Sequence, residues 1–123
     1  AGDQIEEAEC LLKAALKWHQ DSGIRDLLTS HIYHWLGVVK VKTEFFSEAR
    51  ENLTESMNVA IELAERKPDQ AHLCQGMEMG AHYQLGHCDR QDPKDGSVEK
   101  ALEHYAESLT ISRKRQQGQF MAM

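Results

Sequence analysis

Apolar and small residues recur along this chain at helical spacing. The pattern is clearest between Tyr33 and Met57, YHWLGVVKVKTEFFSEARENLTESM, which predicts two helices joined by a tight turn. The first helix carries Tyr33, Leu36 and Gly37. On the second, Ala49, Leu53, Ser56 and Met57 follow one another at steps of 4, 3 and 1. Those steps gather one apolar face, with a small residue where a neighbouring helix must come close. The face occurs twice more: Ala8, Leu12, Ala15, Leu16 and Trp18 align with Ala49, Leu53, Ser56, Met57 and Val59, and both align with Ala101, Tyr105, Ser108, Leu109 and Ile111. The leading helix recurs as well, because Tyr33-His34-Trp35-Leu36-Gly37 lines up with His82-Tyr83-Gln84-Leu85-Gly86.

The predicted elements follow in order. A first helix opens behind Asp3 as cap, with Glu6 and Glu7 in its first turn on the side the helix dipole favours, and stops at Asp21-Ser22-Gly23. A second runs from Ile24 to Lys42 and a third from Phe45 to Arg66, where Lys67-Pro68 ends it. A fourth, capped by Asp69, runs from about Gln70 to Cys88 or slightly beyond, and Gly76, Gly80 and Gly86 on it mark close backbone approach. In a second register Gly80 takes the place of Gly86. Asp89 to Gly96, DRQDPKDG, reads as a loop, inert surface being the first reading and an inserted binding loop the second. The fifth helix begins near Ser97 or Val98 and ends near Gln117, leaving residues 118–123 as a tail and residues 1–117 as one domain. Arg113, Lys114 and Arg115 near its end complement the dipole.

Composition narrows the reading. With 123 residues and 41% hydrophobic content the chain has enough apolar material for one core, and its two prolines leave room for long helices. A net charge of −6 gives no attraction for nucleic acid or anionic lipid. No apolar run approaches the length of a membrane span. Cys10, Cys74 and Cys88 are odd in number and lie in helical stretches, the usage of an intracellular protein, so a cytoplasmic location is expected, with the nucleus open. The Asn52-Leu53-Thr54 sequon lies mid-helix.

A helix-turn-helix unit with a Leu-Gly pair on its first helix and an Ala/aromatic/small/Leu set on its second resembles the tetratricopeptide repeat. The spacing from Gly37 to Ala49 across the turn, and the segment Gly96-Ser97-Val98-Glu99-Lys100-Ala101, agree with that family, and the likeness covers roughly residues 2–115. The repeat here is the longer-helix variety, with a period of about 40 residues. The resemblance implies an all-α fold: a right-handed solenoid of about five antiparallel helices, two and a half hairpins, each burying its face by stacking on its neighbours. The first helix lacks a leading partner, so the chain reads either as a piece of a longer array or as a unit whose first helix serves as a cap.

Chemistry is sparse. His31 with His34, and His82 with His87 and Cys88, invite a metal search, but neither a C-x-x-C nor an H-E-x-x-H spacing is present. His87 and Cys88 are adjacent and diverge by about 100° on a helix, so they do not form a nucleophile–base pair. No enzyme, metal or cofactor is expected. In the resembled family the leading helices line a concave groove that holds a partner's peptide or helix. Carried over, the groove comprises His31, His34, Val38, Val41 and Lys42, with Gly80, Tyr83, His87, Arg90 and Gln91 opposite; each of these can instead pack against the next hairpin. One subfamily grips a chaperone's C-terminal carboxylate with Lys and Asn at positions held here by His34 and Val38, so that activity is not implied. The expected function is a non-catalytic protein–protein interaction scaffold. Its alternative is an assembly segment of a larger array that stacks, or self-associates, through its terminal helices, with Ile5, Leu11 and Trp18 as contacts.

Overall fold

The computed structural model describes the backbone of residues 2–122 and the side chains of residues 4–118. The described chain is all-helical: α1 (Gly2–Ser22), α2 (Leu27–Lys42), α3 (Phe46–Arg66), α4 (Ala71–Gln91) and α5 (Val98–Ala122), with a 3-10 turn at Pro68–Gln70. No helix of the described residues is long and apolar enough to cross a membrane.

The chain's turns set where each helix stops. Gly23 takes a left-handed φ of 68°. Its N–H reaches the Gln20 carbonyl (3.2 Å) and the Ile24 N–H reaches His19 (2.8 Å), a Schellman ending for α1. The expected start of α2 at Ile24 is therefore too early. The helix starts at Leu27, behind a capping box in which Asp26 Oδ1 accepts from the Thr29 N–H and Thr29 Oγ1 accepts from the Asp26 N–H. The same ending closes α2, with Glu44 left-handed at φ 65° and N–H groups of Glu44 and Phe45 bonded to Val41 and Lys40.

Four other boundaries differ from expectation. Helix α1 is described from Gly2, which puts the Asp3 backbone inside its first turn, one step further in than a cap stands; the Asp3 side chain lies outside the described residues. Asp69 lies in the 3-10 turn, and Gln70 occupies the N-cap position of α4. Helix α4 continues to Gln91, which moves Asp89, Arg90 and Gln91 out of the expected loop. The backbone of α5 is helical past Gln117 to Ala122; the side chains expected in the tail beyond Gly118 fall outside the described residues, as does all of Met123.

Packing repeats with the sequence. Helices α2 and α3 pair, α4 and α5 pair, α3 packs on α4, α1 on α2, and α2 touches α4. Gly37 faces Leu53 so closely that an added Cβ would lie 2.6 Å from Leu53 Cγ, and at Gly86 it would lie 2.5 Å from Tyr105 Cε1. Gly86, not Gly80, is thus the counterpart of Gly37. Ser56 Oγ donates to the Ser30 carbonyl (2.8 Å), and Ser108 Oγ donates to that of Met79 (3.0 Å), at matched positions in the two pairs. Arg50 of α3 pairs with Asp89 of α4 at 3.0 Å, while the matched positions on α1 and α2 hold Glu9 and Lys40, 2.7 Å apart with the charges exchanged.

One apolar cluster joins α2, α3 and α4 through Val41, Ala49, Leu53, Leu85 and Cys88, flanked by Phe46 and Met57. A second, Ala60, Leu63, Cys74 and Met77, fills the other end of the α3–α4 contact. The match of Trp18 to Val59 fails in space. Val59 is fully buried, whereas Trp18 is 61% exposed and its neighbour His19 is buried. Among the described residues helix α1 packs on α2 alone, which covers one of its sides.

Candidate functional site

The α2–α4 contact brings together part of the expected groove. Val38, Val41 and Lys42 of α2 line a shallow depression of about 280 Å³ with Gln84, His87, Arg90 and Gln91 of α4. Val38 and Val41 are themselves buried, and Val41 belongs to the core with Leu85 and Cys88, so the two valines form the floor and offer little free surface. Lys42, Arg90 and Gln91 are the exposed rim.

His31, His34 and Tyr83 lie apart from this depression. His31 is exposed. His34 is half-buried against α4, where a Cβ added at Gly80 would meet its Cε1 at 3.2 Å. Burial, and then the neighbouring His31, hold the His34 imidazole below its ordinary pKa. Gly80 therefore serves the packing of α2 on α4. Tyr83 points to the other side of α4, into an open hollow of about 670 Å³ between α4 and α5. Gly80, His87, Tyr105, Leu109 and Arg90 also line it.

His87 stands between the two depressions. Its ring lies edge-on to Tyr83 (4.4 Å between centroids) and near Tyr105 (5.6 Å). Tyr105 Oη is 2.9 Å from His87 Nδ1, and Arg90 reaches the same nitrogen at 3.4 Å. Arginine has only donors, so Nδ1 accepts, Tyr105 donates to it, and Nε2 carries the proton. Burial and then Arg90 keep the His87 pKa below its ordinary value, in keeping with a neutral ring.

Two groups escaped the sequence pattern. His82 faces α5, with its Nδ1 3.1 Å from His104 Nδ1, and His104 Nε2 lies 3.5 Å from Asp89 Oδ2. Burial and then His104 lower the His82 pKa. Arg50 reaches both Asp89 and Asp92 (2.8 Å to the latter). Burial alone would raise the Asp92 pKa, but the N–H groups of Lys94 and Asp95 and the Arg50 guanidinium bring it below the ordinary carboxylate value. These partners are far apart in sequence and have no periodic signature.

His82 and His87 thus point to different neighbours, and among the described residues no three His, Cys, Asp or Glu side chains converge as a metal site requires. Cys88 is buried, and burial pushes its thiol up to about 11, the opposite of what a nucleophile needs.

A second open hollow, about 640 Å³, lies between α1 and α2 and is lined by Ile5, Leu11, Leu12, Trp35, Val38 and Val39. Leu11 (66%) and Trp35 (53%) are largely exposed there. Comparison with family models, with curated proteins and with solved structures finds no match, so the site is interpreted from its geometry alone.

Proposed function

We propose that this chain is a non-catalytic protein-interaction module: a short tetratricopeptide-like right-handed solenoid whose α2–α4 face holds an extended or helical segment of a partner protein. The observation that carries this reading is the repeated packing register, in which Gly37–Leu53 and Ser56–Ser30 recur as Gly86–Tyr105 and Ser108–Met79. In a solenoid such a register gives α2 and α4 equivalent places, which supports reading their exposed side chains as one preformed surface. The rim offers Lys42 and Arg90 to carboxylates and Gln91 to backbone amides, over the apolar floor of Val38 and Val41.

The test is selection of displayed peptides on the immobilised protein. Acidic sequences should be enriched, and Lys42→Glu combined with Gln91→Glu should abolish that enrichment. The same peptides selected by both proteins would overturn the reading.

A second reading, assembly through the terminal helices, is favoured by the exposure of Leu11 and Trp18 on α1. Light-scattering mass across a concentration range separates the two: growth that Leu11→Glu and Trp18→Glu abolish supports assembly, and a constant monomer mass excludes it.

A further inference from the structure

The hollow between α4 and α5 has an internal counterpart that is already filled. On α3, the stripe Phe46, Arg50, Leu53, Met57 and Ala60 is covered by α4: Phe46, Leu53 and Met57 pack with Leu85 and Cys88, Arg50 pairs with Asp89, and Ala60 packs with Cys74 and Met77. By the register of Leu53 with Tyr105 and of Ser56 with Ser108, the matching stripe on α5 is Val98, Leu102, Tyr105, Leu109 and Ser112. This stripe is open, with Val98 at 69%, Leu102 at 61% and Leu109 at 51% exposure. The α2 side behaves in the same way. His34 and Val41 lie under α4, and their counterparts on α4, Tyr83 and Arg90, are exposed. Tyr83, Arg90, Tyr105, Leu109 and Ser112 together line the 670 Å³ hollow.

We infer that this hollow is a seat for one amphipathic α-helix of a partner polypeptide, lying beside α4 and α5 as α4 lies beside α2 and α3. The inference uses the packing register and does not depend on the α2–α4 face binding anything. Two observations define the chemistry of the partner helix. The position of the charged residues Glu9 on α1 and Arg50 on α3, each paired with the next helix, is held on α5 by Leu102. The partner therefore presents an apolar group there, where α2 presents Lys40 and α4 presents Asp89. In an α4-like orientation its last turn lies against Arg90, which touches only His87 Nδ1 among the described polar groups. An acidic last turn meets that guanidinium. Glu99 and Glu103 are exposed on α5 at the positions of Ser47 and Glu51, which stay exposed on α3, so they do not enter the seat.

A second copy does not supply this helix in register. Both ends of the described structure, α1 and α5, are of the α3 type, and end-to-end contact would bring two such helices together with an α4-type helix still missing between them.

The experiment uses a fluorescent synthetic helix of about 20 residues with leucines at i, i+4, i+7 and i+11 and glutamates in its last turn. Binding to the full chain is read by anisotropy. Saturable binding is expected, weakened about tenfold or more by Leu109→Glu, and unchanged by Lys17→Gln on α1, a helix that touches neither α4 nor α5 among the described residues. Leu109 is on the surface, and circular dichroism checks that the variant stays folded. Arg90→Glu should weaken the glutamate peptide and restore affinity when the last-turn glutamates become lysines. Absence of saturable binding, equal affinity for wild type and Leu109→Glu, or self-association that Leu109→Glu abolishes without peptide binding would each overturn the proposal.

Discussion

Ser108 on α5 donates a hydrogen bond of 3.0 Å to the backbone carbonyl of Met79 on α4, repeating the bond that Ser56 makes to Ser30. In the first pair the contact is reciprocal, since Ser30 Oγ also reaches the Ser56 carbonyl at 2.8 Å. A small hydroxyl at this position lets the helices touch and satisfies itself on the opposite backbone. Ser56→Ala should cost about 1 kcal/mol, the net value of one hydrogen bond. Ser56→Leu should cost about 3 kcal/mol by overpacking a site with no exposure. Urea unfolding of the two variants checks the order, and equal midpoints would mean that the site accepts bulk.

Gly86 tests the same interface through its backbone. Alanine is ordinarily better in a helix than glycine by about 1 kcal/mol. At Gly86 and at Gly37 the added methyl would fall on Tyr105 and Leu53, so both alanine variants should lose about 1–3 kcal/mol. Gly118→Ala, where nothing lies within 4 Å, should be neutral or stabilising. Tyr105→Ala combined with Gly86→Ala should cost less than the sum of the single changes, because the ring that blocks the methyl is gone.

The helices and their shared faces were legible because burial imposes a period. Ala49, Leu53 and Ser56 announce a contact face, and Ala101, Tyr105 and Ser108 repeat it at the same steps. Trp18 obeyed that period and is exposed, because a periodic pattern shows which side of a helix is apolar and not whether a neighbour covers it. His19 is buried through a contact the period does not encode, its Nδ1 lying 2.7 Å from Thr29 Oγ1 across the α1–α2 turn. Asp89, which belongs to α4, and Asp92, which is in the loop, both looked like inert surface because their partner, Arg50, lies on another helix. Of the candidate site, Lys42, His87 and Arg90 come together as expected, while Tyr83 faces the other way, a choice made by which side of α4 is occupied by α2.

Arg50 is the cation that holds the α3–α4 junction. It is partly shielded, and its partner Asp89 is only 5% exposed. Arg50→Ala would take away the guanidinium shared by the Asp89 and Asp92 carboxylates, leaving Asp89 with only the His104 ring beside it. A loss of about 2–3 kcal/mol is expected for the broken pair, discounted from the fully buried case because the guanidinium retains some solvent. Adding Asp89→Asn to Arg50→Ala should recover part of that loss. Chemical denaturation of the single and double variants measures it, and no recovery would place the cost in lost packing of the arginine stem.

Acidification should destabilise the fold through its histidines. His34, His82 and His87 all have pKa values below the ordinary imidazole value in the folded chain, each chiefly through burial, with a neighbouring cation or imidazole adding to it. Unfolding returns them to about 6.5. In the interval below that value the unfolded chain binds more protons than the folded one, so stability rises with pH there. It is fully present above about pH 6.5 and is lost as the pH falls toward the depressed folded values. Each fully coupled group contributes at most about 1.4 kcal/mol per pH unit. Urea midpoints should be level from about pH 8 to 7 and fall between about pH 6.5 and 5.5. His34→Gln and His82→Gln should each flatten that fall, His34→Gln by removing the ring lodged against Gly80 and His82→Gln by removing the imidazole beside His104. Midpoints that stay level down to pH of about 5.5, or variants as acid-sensitive as the wild type, would show that these rings take up protons as readily in the fold as in the open chain.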